Sequence, residues 1–401
     1  MSLLRIGFLP LVDAVLPIVA HEYGLAEKQG LKLELHRDTS WATVRDRLIY
    51  GQTDAAHLLA PLALATSLGL DRPAVPLAAP FMLGLNGNTV NVSSRVAALL
   101  GDLGGDVAET GRTLAALAKS EAAAGRKLRI AVVHRYSSHN YMLRYWLGAS
   151  GCNPDSDVDI VTVPPPFIAE AFALGEIDGS CVGEPWNSVA AERGDAVTIA
   201  ATSQLWNRGV EKLLACRLQT LDERREEMIA LVRALHAAGS IAESREHRDD
   251  VAELLSRPEY VGQPASLIAR ALSSSIATRP DTPPVRDFLV LHREAANFPW
   301  RSQAMWLYSQ MARWGHAPLE AEGFVKAAAV FRPDIYRAAL AGTGAILPNA
   351  SAKVEGAIAQ PLGVGSASGR LIMGPDRFFD GRLFDPDKAM EYLAELSPTA
   401  R

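Results

Sequence analysis

Three short stretches set side chains able to hold a small ligand at a helix start or a strand end. Thr39-Ser40-Trp41 puts a hydroxyl where a helix N-cap belongs, with an indole N–H directly after it. Ser137-Ser138-His139 opens another helix with two hydroxyls, an imidazole and the free backbone N–H groups of a first turn. Residues 181–187, Cys-Val-Gly-Glu-Pro-Trp-Asn, end an apolar run at Gly183 and then crowd four large or polar side chains together. Helix N-termini favour negative charge, so the chemistry these stretches share is the capture of a small anion. In the third, Pro185 fixes the turn while Glu184 and Asn187 orient a donor from behind, since a bare carboxylate would repel an anion. Each stretch has a plainer structural reading as well. Trp41 fits a helix-face core residue and His139 a helix-capping histidine. Lys212, in GVEKLLACRL, fits a solvated lysine on an edge strand.

Signatures of catalysis are missing. The chain has no Gly-rich phosphate loop and no CxxC, HExxH or GxSxG motif. Its three cysteines, Cys152, Cys181 and Cys216, lack metal-ligand spacing and sit among apolar or small residues, which fits buried thiols in a reducing compartment. No metal and no cofactor is expected. A nucleophilic cysteine needs a base beside it, and only Cys181, three residues before Glu184, comes near that requirement.

The elements that must position these residues follow from pattern. A chain of 401 residues, 48% hydrophobic and 21% charged, suits two α/β lobes. Its net charge of −5 provides no basic field for nucleic acid. Residues 32–61 and 159–185 share one grammar: strand, polar or proline-rich loop, helix, G-x-x-D, strand, proline. Gly51, Asp54 and Pro61 have the spacing of Gly175, Asp178 and Pro185. A helix closed by glycine and followed by a short apolar strand is the mark of a parallel βαβ unit. A third unit, residues 128–151, predicts a strand to Val133 and a helix from about Ser138, with Leu143, Trp146 and Leu147 on its buried face. Residues 101–127 predict a surface helix. Later helices are predicted over 226–245, 302–315 and 333–342, with Trp306 and Trp314 as packing residues and a short helix in the tail.

Leu4–Leu9 reads as the first strand of the fold, and Pro10, Asp13 and Pro17 break what a secretory leader would need as an unbroken apolar stretch. No stretch has the length of a membrane span. A cytoplasmic location is therefore expected, with a periplasmic one as the alternative if a leader has been removed.

Taken in order, the motifs TSWATVRDRL, DAAHLLAPL, LNGNTVNVS, SSHNYMLRYWLGASGCNPDSDV, TVPPP, CVGEPWN and VEK give the chain a family likeness. From Arg5–Pro17 to FDPDKAMEYL at 384–393 it resembles the nitrate/bicarbonate-binding branch of the ABC-transporter solute-binding proteins. The resemblance implies a two-lobed α/β fold of the periplasmic-binding-protein-like II type, with the ligand in the interlobe cleft. Residues 1–84 and 206–401 would form lobe one, and 85–205 lobe two. It implies Trp41 as an indole donor, Ser138 and His139 at the second lobe's helix start, Asn88 as an amide donor, and Pro165 and Gly183 as cleft-lining backbone. It implies Lys212 as the cation that pairs with the anion, and so nitrate or nitrite in place of a metal-linked bicarbonate. Nitrate has three acceptor oxygens and no donor, so an all-donor lining with one lysine suits it.

In layout the chain resembles the cytoplasmic nitrate/nitrite sensors of this branch, which implies control of nitrate-assimilation genes through an antiterminator partner. The alternative is the substrate-binding component of an ABC nitrate (or bicarbonate) transporter, docking on a permease. A more remote alternative is an enzyme of the same fold.

Overall fold

The computed structural model describes every residue except 104, 105, 279–281, 368 and 397–401. The repeated grammar becomes repeated topology. Strand β1 (Ser2–Phe8) runs parallel to both β2 (Leu31–Arg37) and β3 (Ala55–Leu59). Between β2 and β3 lies the helix Trp41–Ile49, capped by the Ser40 hydroxyl, which accepts from the Thr43 N–H. Strand β4 is Leu77–Met82, and Leu85–Asn86 forms the short β5.

The second sheet is built from β6 (Asn88–Ser93), β7 (Leu128–Val132), β8 (Val158–Thr162), β9 (Gly179–Gly183) and β10 (Ala196–Ala201). Here β7 takes the part of β1, running parallel to β8 and to β9. Strand β11 (Lys212–Arg217) returns to the first sheet. The strand orders are β2-β1-β3-β11-β4 and β8-β7-β9-β6-β10, each with three parallel strands followed by antiparallel ones.

The aspartates of the two G-x-x-D motifs do the same work. Asp54 donates its backbone N–H to Arg5 O and accepts the Arg5 N–H on its carboxylate at 2.8 Å. Asp178 does the same with Arg129, at 3.0 Å. The glycines before them, Gly51 and Gly175, have φ of 73° and 67°, a left-handed conformation that glycine adopts without Cβ strain.

Two chain crossings join the lobes. The first, around Leu85–Asn88, is tied to the second, around Trp206–Glu211. The Asn86 amide donates to Asn207 O and accepts from Gly209 N. Strand β5 also pairs with β12 (Leu289–Val290), so the C-terminal third is stitched to the crossing.

The helix Arg225–Glu243 buries its stripe Met228, Leu231, Val232 and Leu235 in a core shared with Leu4, Ile6, Phe8 and Ile18. The helix Ser138–Ala149 is buried along Ser138–Leu147, on more than the one face its spacing suggests. The helices Val107–Ala123 and Arg301–Arg313 pack against it. Trp306 stacks on Phe378, and Tyr145 donates to Asp380. The C-terminal region therefore touches both lobes. Among the described residues, no helix is long and apolar enough to cross a membrane.

Candidate anion-binding site

The side chains that converge at the mouth of the cleft sit where strands end. Lys212 is the first residue of β11 and is fully buried, not a solvated edge lysine. Its Nζ lies 2.7 Å from Asp13 Oδ2 and 2.8 Å from Glu211 Oε1. It also lies 3.4 Å from Asn88 Oδ1, 3.5 Å from His139 Nε2 and 5.8 Å from the centre of the Trp41 ring. Asp13 is bridged on its other oxygen to His57 Nε2 at 3.0 Å, and the His57 ring meets Trp41 edge-on. Glu211 accepts from Asn88 Nδ2 at 2.6 Å and from Ser138 Oγ at 2.5 Å, and lies 3.6 Å from His139 Nδ1.

The first lobe thus supplies Asp13, Trp41, His57 and Lys212, and the second supplies Asn88, Ser138 and His139. Gly183, at the end of β9, permits the approach: a Cβ there would stand 3.2 Å from Asn88 Oδ1 and 3.5 Å from Lys212 Nζ.

The charges are strongly coupled. Burial raises the Asp13 carboxyl, but Lys212 and His57 beside it more than reverse this and hold it well below the usual carboxylate range. Burial depresses the Lys212 ammonium, yet Asp13 and Glu211 outweigh that and hold it above its usual value. Burial pushes the His139 imidazole down to about 4, against the pull of Glu211. The lining is therefore not the all-donor set that nitrate alone would suggest. Two acids share the lysine. Trp41 Nε1 is nonetheless buried without a hydrogen-bond partner, and His139 turns Nε2 toward Lys212 while its Nδ1 faces Glu211.

The sequence-expected residues divide. Trp41, Asn88, Ser138, His139, Gly183 and Lys212 come together. Pro165, itself buried, opens the 3-10 turn Pro165–Phe167 after β8, and no polar contact ties it to Lys212. Glu184 and Asn187 stay behind the site. Glu184 accepts from the Thr89 hydroxyl and the Ser188 N–H, while Asn187 bonds Ser180 and Thr89. Together they brace β6, from which Asn88 projects.

Three residues escape a reading of the sequence: Asp13, His57 and Glu211. Each left a trace. Asp13 is a carboxylate inside an apolar run, His57 an imidazole in the wholly buried strand AAHLL, and Glu211 the acid next to the lysine. Cys181 is fully buried in β9, where burial raises its thiol and leaves it unreactive. Among the described residues, no group of three or more His, Cys, Asp and Glu is arranged to hold a metal ion.

Two sheets of matching topology and two chain crossings, with a cluster of polar side chains between the lobes, define the two-lobed periplasmic-binding-protein-like fold. The chain belongs to the NMT1-like family, whose sequence pattern matches residues 2–256, within the nitrate/bicarbonate branch of the ABC solute-binding proteins. It is 31% identical over 341 residues to the nitrate import ATP-binding protein NrtC of Synechocystis sp., a match spanning 83% of this chain and 49% of NrtC. The chain thus spans about half the length of that relative. It is 30% identical over 402 residues to the nitrate/nitrite binding protein NrtA of Synechococcus elongatus, covering 98% of this chain and 85% of NrtA. The crystal structure of the periplasmic nitrate-binding protein NrtA from Synechocystis PCC 6803 shares the fold, with a TM-score of 0.87 over 99% of each chain at 24% identity.

These relatives correct the expected location. The cytoplasmic assignment rested on the nearness of the first strand to Met1, and it is overturned by a family of transport receptors whose structurally matched member is periplasmic. They favour the transport alternative over the sensor reading and give no support to an antiterminator partner. The NrtA relatives are binding proteins, not enzymes.

Proposed function

We propose that this chain is the periplasmic substrate-binding component of an ABC importer for nitrate and nitrite, holding the anion between its lobes and presenting it to a membrane permease. The observation that carries this reading is the convergence of both lobes on the buried Lys212, with the Trp41 ring centre of one at 5.8 Å and His139 Nε2 of the other at 3.5 Å, while Trp41 Nε1 is buried without a hydrogen-bond partner. A buried donor is rarely left unpaired, and a flat oxyanion beside the lysine would satisfy it. The full-length likeness to NrtA supports nitrate and nitrite as the anions.

The reading takes Trp41, Asn88, Ser138, His139, Gly183 and Lys212 as the ligand shell, with Pro165 as a wall of the cleft and Glu184 and Asn187 as braces. It takes residues 1–84 with 206–401 as one lobe and 85–205 as the other, a division supported by which residues supply each sheet.

A second reading, bicarbonate, is favoured by one observation: Asp13 and Glu211 both face the lysine. Bicarbonate carries an O–H that a carboxylate can accept, and nitrate does not. Titration calorimetry with nitrate, nitrite and bicarbonate separates the two. Micromolar binding of nitrate and nitrite supports the main reading, and binding of bicarbonate alone replaces it.

A further inference from the structure

Counting charge around Lys212 raises a problem for any monovalent anion. Two buried carboxylates, Asp13 and Glu211, already share the single ammonium of Lys212. An anion placed on Lys212 adds a third negative group around that one ammonium in a closed cleft. Uncompensated charge away from water is among the most costly arrangements a protein can hold. The cleft must gain a positive charge as it gains the ligand, and a proton is the charge its residues are able to take.

The groups facing this point come from every surrounding element. They are Asp13 in the turn after β1, His57 on β3, Glu211 and Lys212 at the start of β11, His139 at the start of its helix, and Cys181 on β9. Asp13 touches both Lys212 and His57, contacts that keep it ionised. Cys181 already carries its proton. Glu184 is engaged by Thr89 and Ser188. His57 meets Asp13 on the oxygen turned away from the lysine. His139 alone has one ring nitrogen toward Glu211 and the other toward Lys212, at 3.6 and 3.5 Å. A neutral ring can donate to the acid and accept from the ammonium, but it can donate from both nitrogens, to Glu211 and to an anion beside Lys212, only when both carry hydrogen.

We infer that the cleft binds its anion together with one proton, taken from solvent onto His139, so that the imidazolium gives one N–H to Glu211 and the other to the ligand beside Lys212. In the ligand-free protein His139 is neutral at physiological pH, because burial pushes it down to about 4. The anion supplies the negative charge that lifts it. The linkage sign follows: protons bind more tightly to the loaded form, so the anion binds more tightly as pH falls. The inference rests on the nitrate reading above and adds the proton to it.

Nitrate titration by calorimetry at pH 6, 7 and 8, in two buffers of different ionisation enthalpy, tests it. The expected result is close to one proton taken up per nitrate, with affinity weakening about tenfold for each pH unit gained. His139→Gln keeps an N–H donor but has no proton to gain. It should bind more weakly, with an enthalpy independent of buffer and an affinity flat in pH. Nitrate binding by the native chain without proton uptake overturns this inference and leaves the nitrate reading standing. Proton uptake that persists in His139→Gln overturns the assignment to His139. Failure of nitrate to bind at any pH overturns both readings together.

Discussion

At the scale of single residues, the site is a lysine held between two acids, and its behaviour follows from that geometry. Lys212→Gln would leave Asp13 and Glu211 buried without their cation, a loss that typically costs about 3–5 kcal/mol. Chemical denaturation should show a loss of that order, and calorimetry should show no nitrate binding. Trp41→Phe keeps an aromatic ring near His57 but deletes the indole N–H and part of the buried ring system. A hydrogen bond to a charged partner contributes about 1.5–3 kcal/mol, so nitrate affinity should fall roughly tenfold or more, with some loss of stability from the cavity left behind.

Asp13 gives a dependence on acid. Its folded-state value lies below the ordinary 3.8, so its ion pairs stabilise the protein above that pH. Their contribution fades as pH falls below about 4. Urea unfolding at pH 7 and pH 3 should show this fall, and Asp13→Asn should lessen it.

At the scale of elements, the two βαβ units show one design used twice. In each, a left-handed glycine ends the helix, and an aspartate two residues before the next strand's second position ties that strand to the backbone of its parallel neighbour. Asp54 has an arginine partner in Arg224 and Asp178 has one in Arg95. Because the contacts match, Asp54→Ala and Asp178→Ala should destabilise the protein by similar amounts, on the order of 1–3 kcal/mol each. A large difference in urea midpoints between the two variants would show that the units are not equivalent. The helix at 138–149 illustrates the limit of a periodic pattern: its apolar stripe fixed one buried face, and the burial of the others came from the helices Val107–Ala123 and Arg301–Arg313, elsewhere in the chain.

At the scale of the molecule, the CVGEPWN loop holds the lobes together. The Trp186 indole donates to Pro10 O at 2.8 Å, and Glu184 O accepts from the Val12 N–H at 2.9 Å. Farther out, Arg270 pairs with Glu192 at 2.8 Å between a helix after β11 and one after β9. These contacts favour closure whether or not a ligand is present, so they set the ligand-free balance between open and closed forms. Trp186→Phe deletes the indole bond while keeping an aromatic ring in its place, with some loss of packing. It should make the ligand-free protein more open in small-angle scattering and weaken nitrate binding several-fold, since ligand must then supply more of the closing free energy. An unchanged scattering profile and affinity would mean that closure does not depend on this bond.

What the sequence determined by itself is whatever depends on near neighbours. Caps at Ser40 and Ser137, the helical stripe at 228–235, the G-x-x-D turns and the run of strands are local matters of periodicity and backbone preference. The family likeness gave Lys212 its place as the pairing cation and added Asn88 and Pro165 to the candidates. Tertiary structure alone decided the electrostatics of the cleft. Asp13, His57, Glu211 and His139 lie far apart along the chain, and they meet because β11 returns to the first sheet after the second is complete. No spacing rule encodes that return, and a carboxylate in an apolar run carries no mark of the lysine two hundred residues away. Whether Lys212 is a free cation or one shared by two acids is a question of distance through space, and only the folded chain sets those distances.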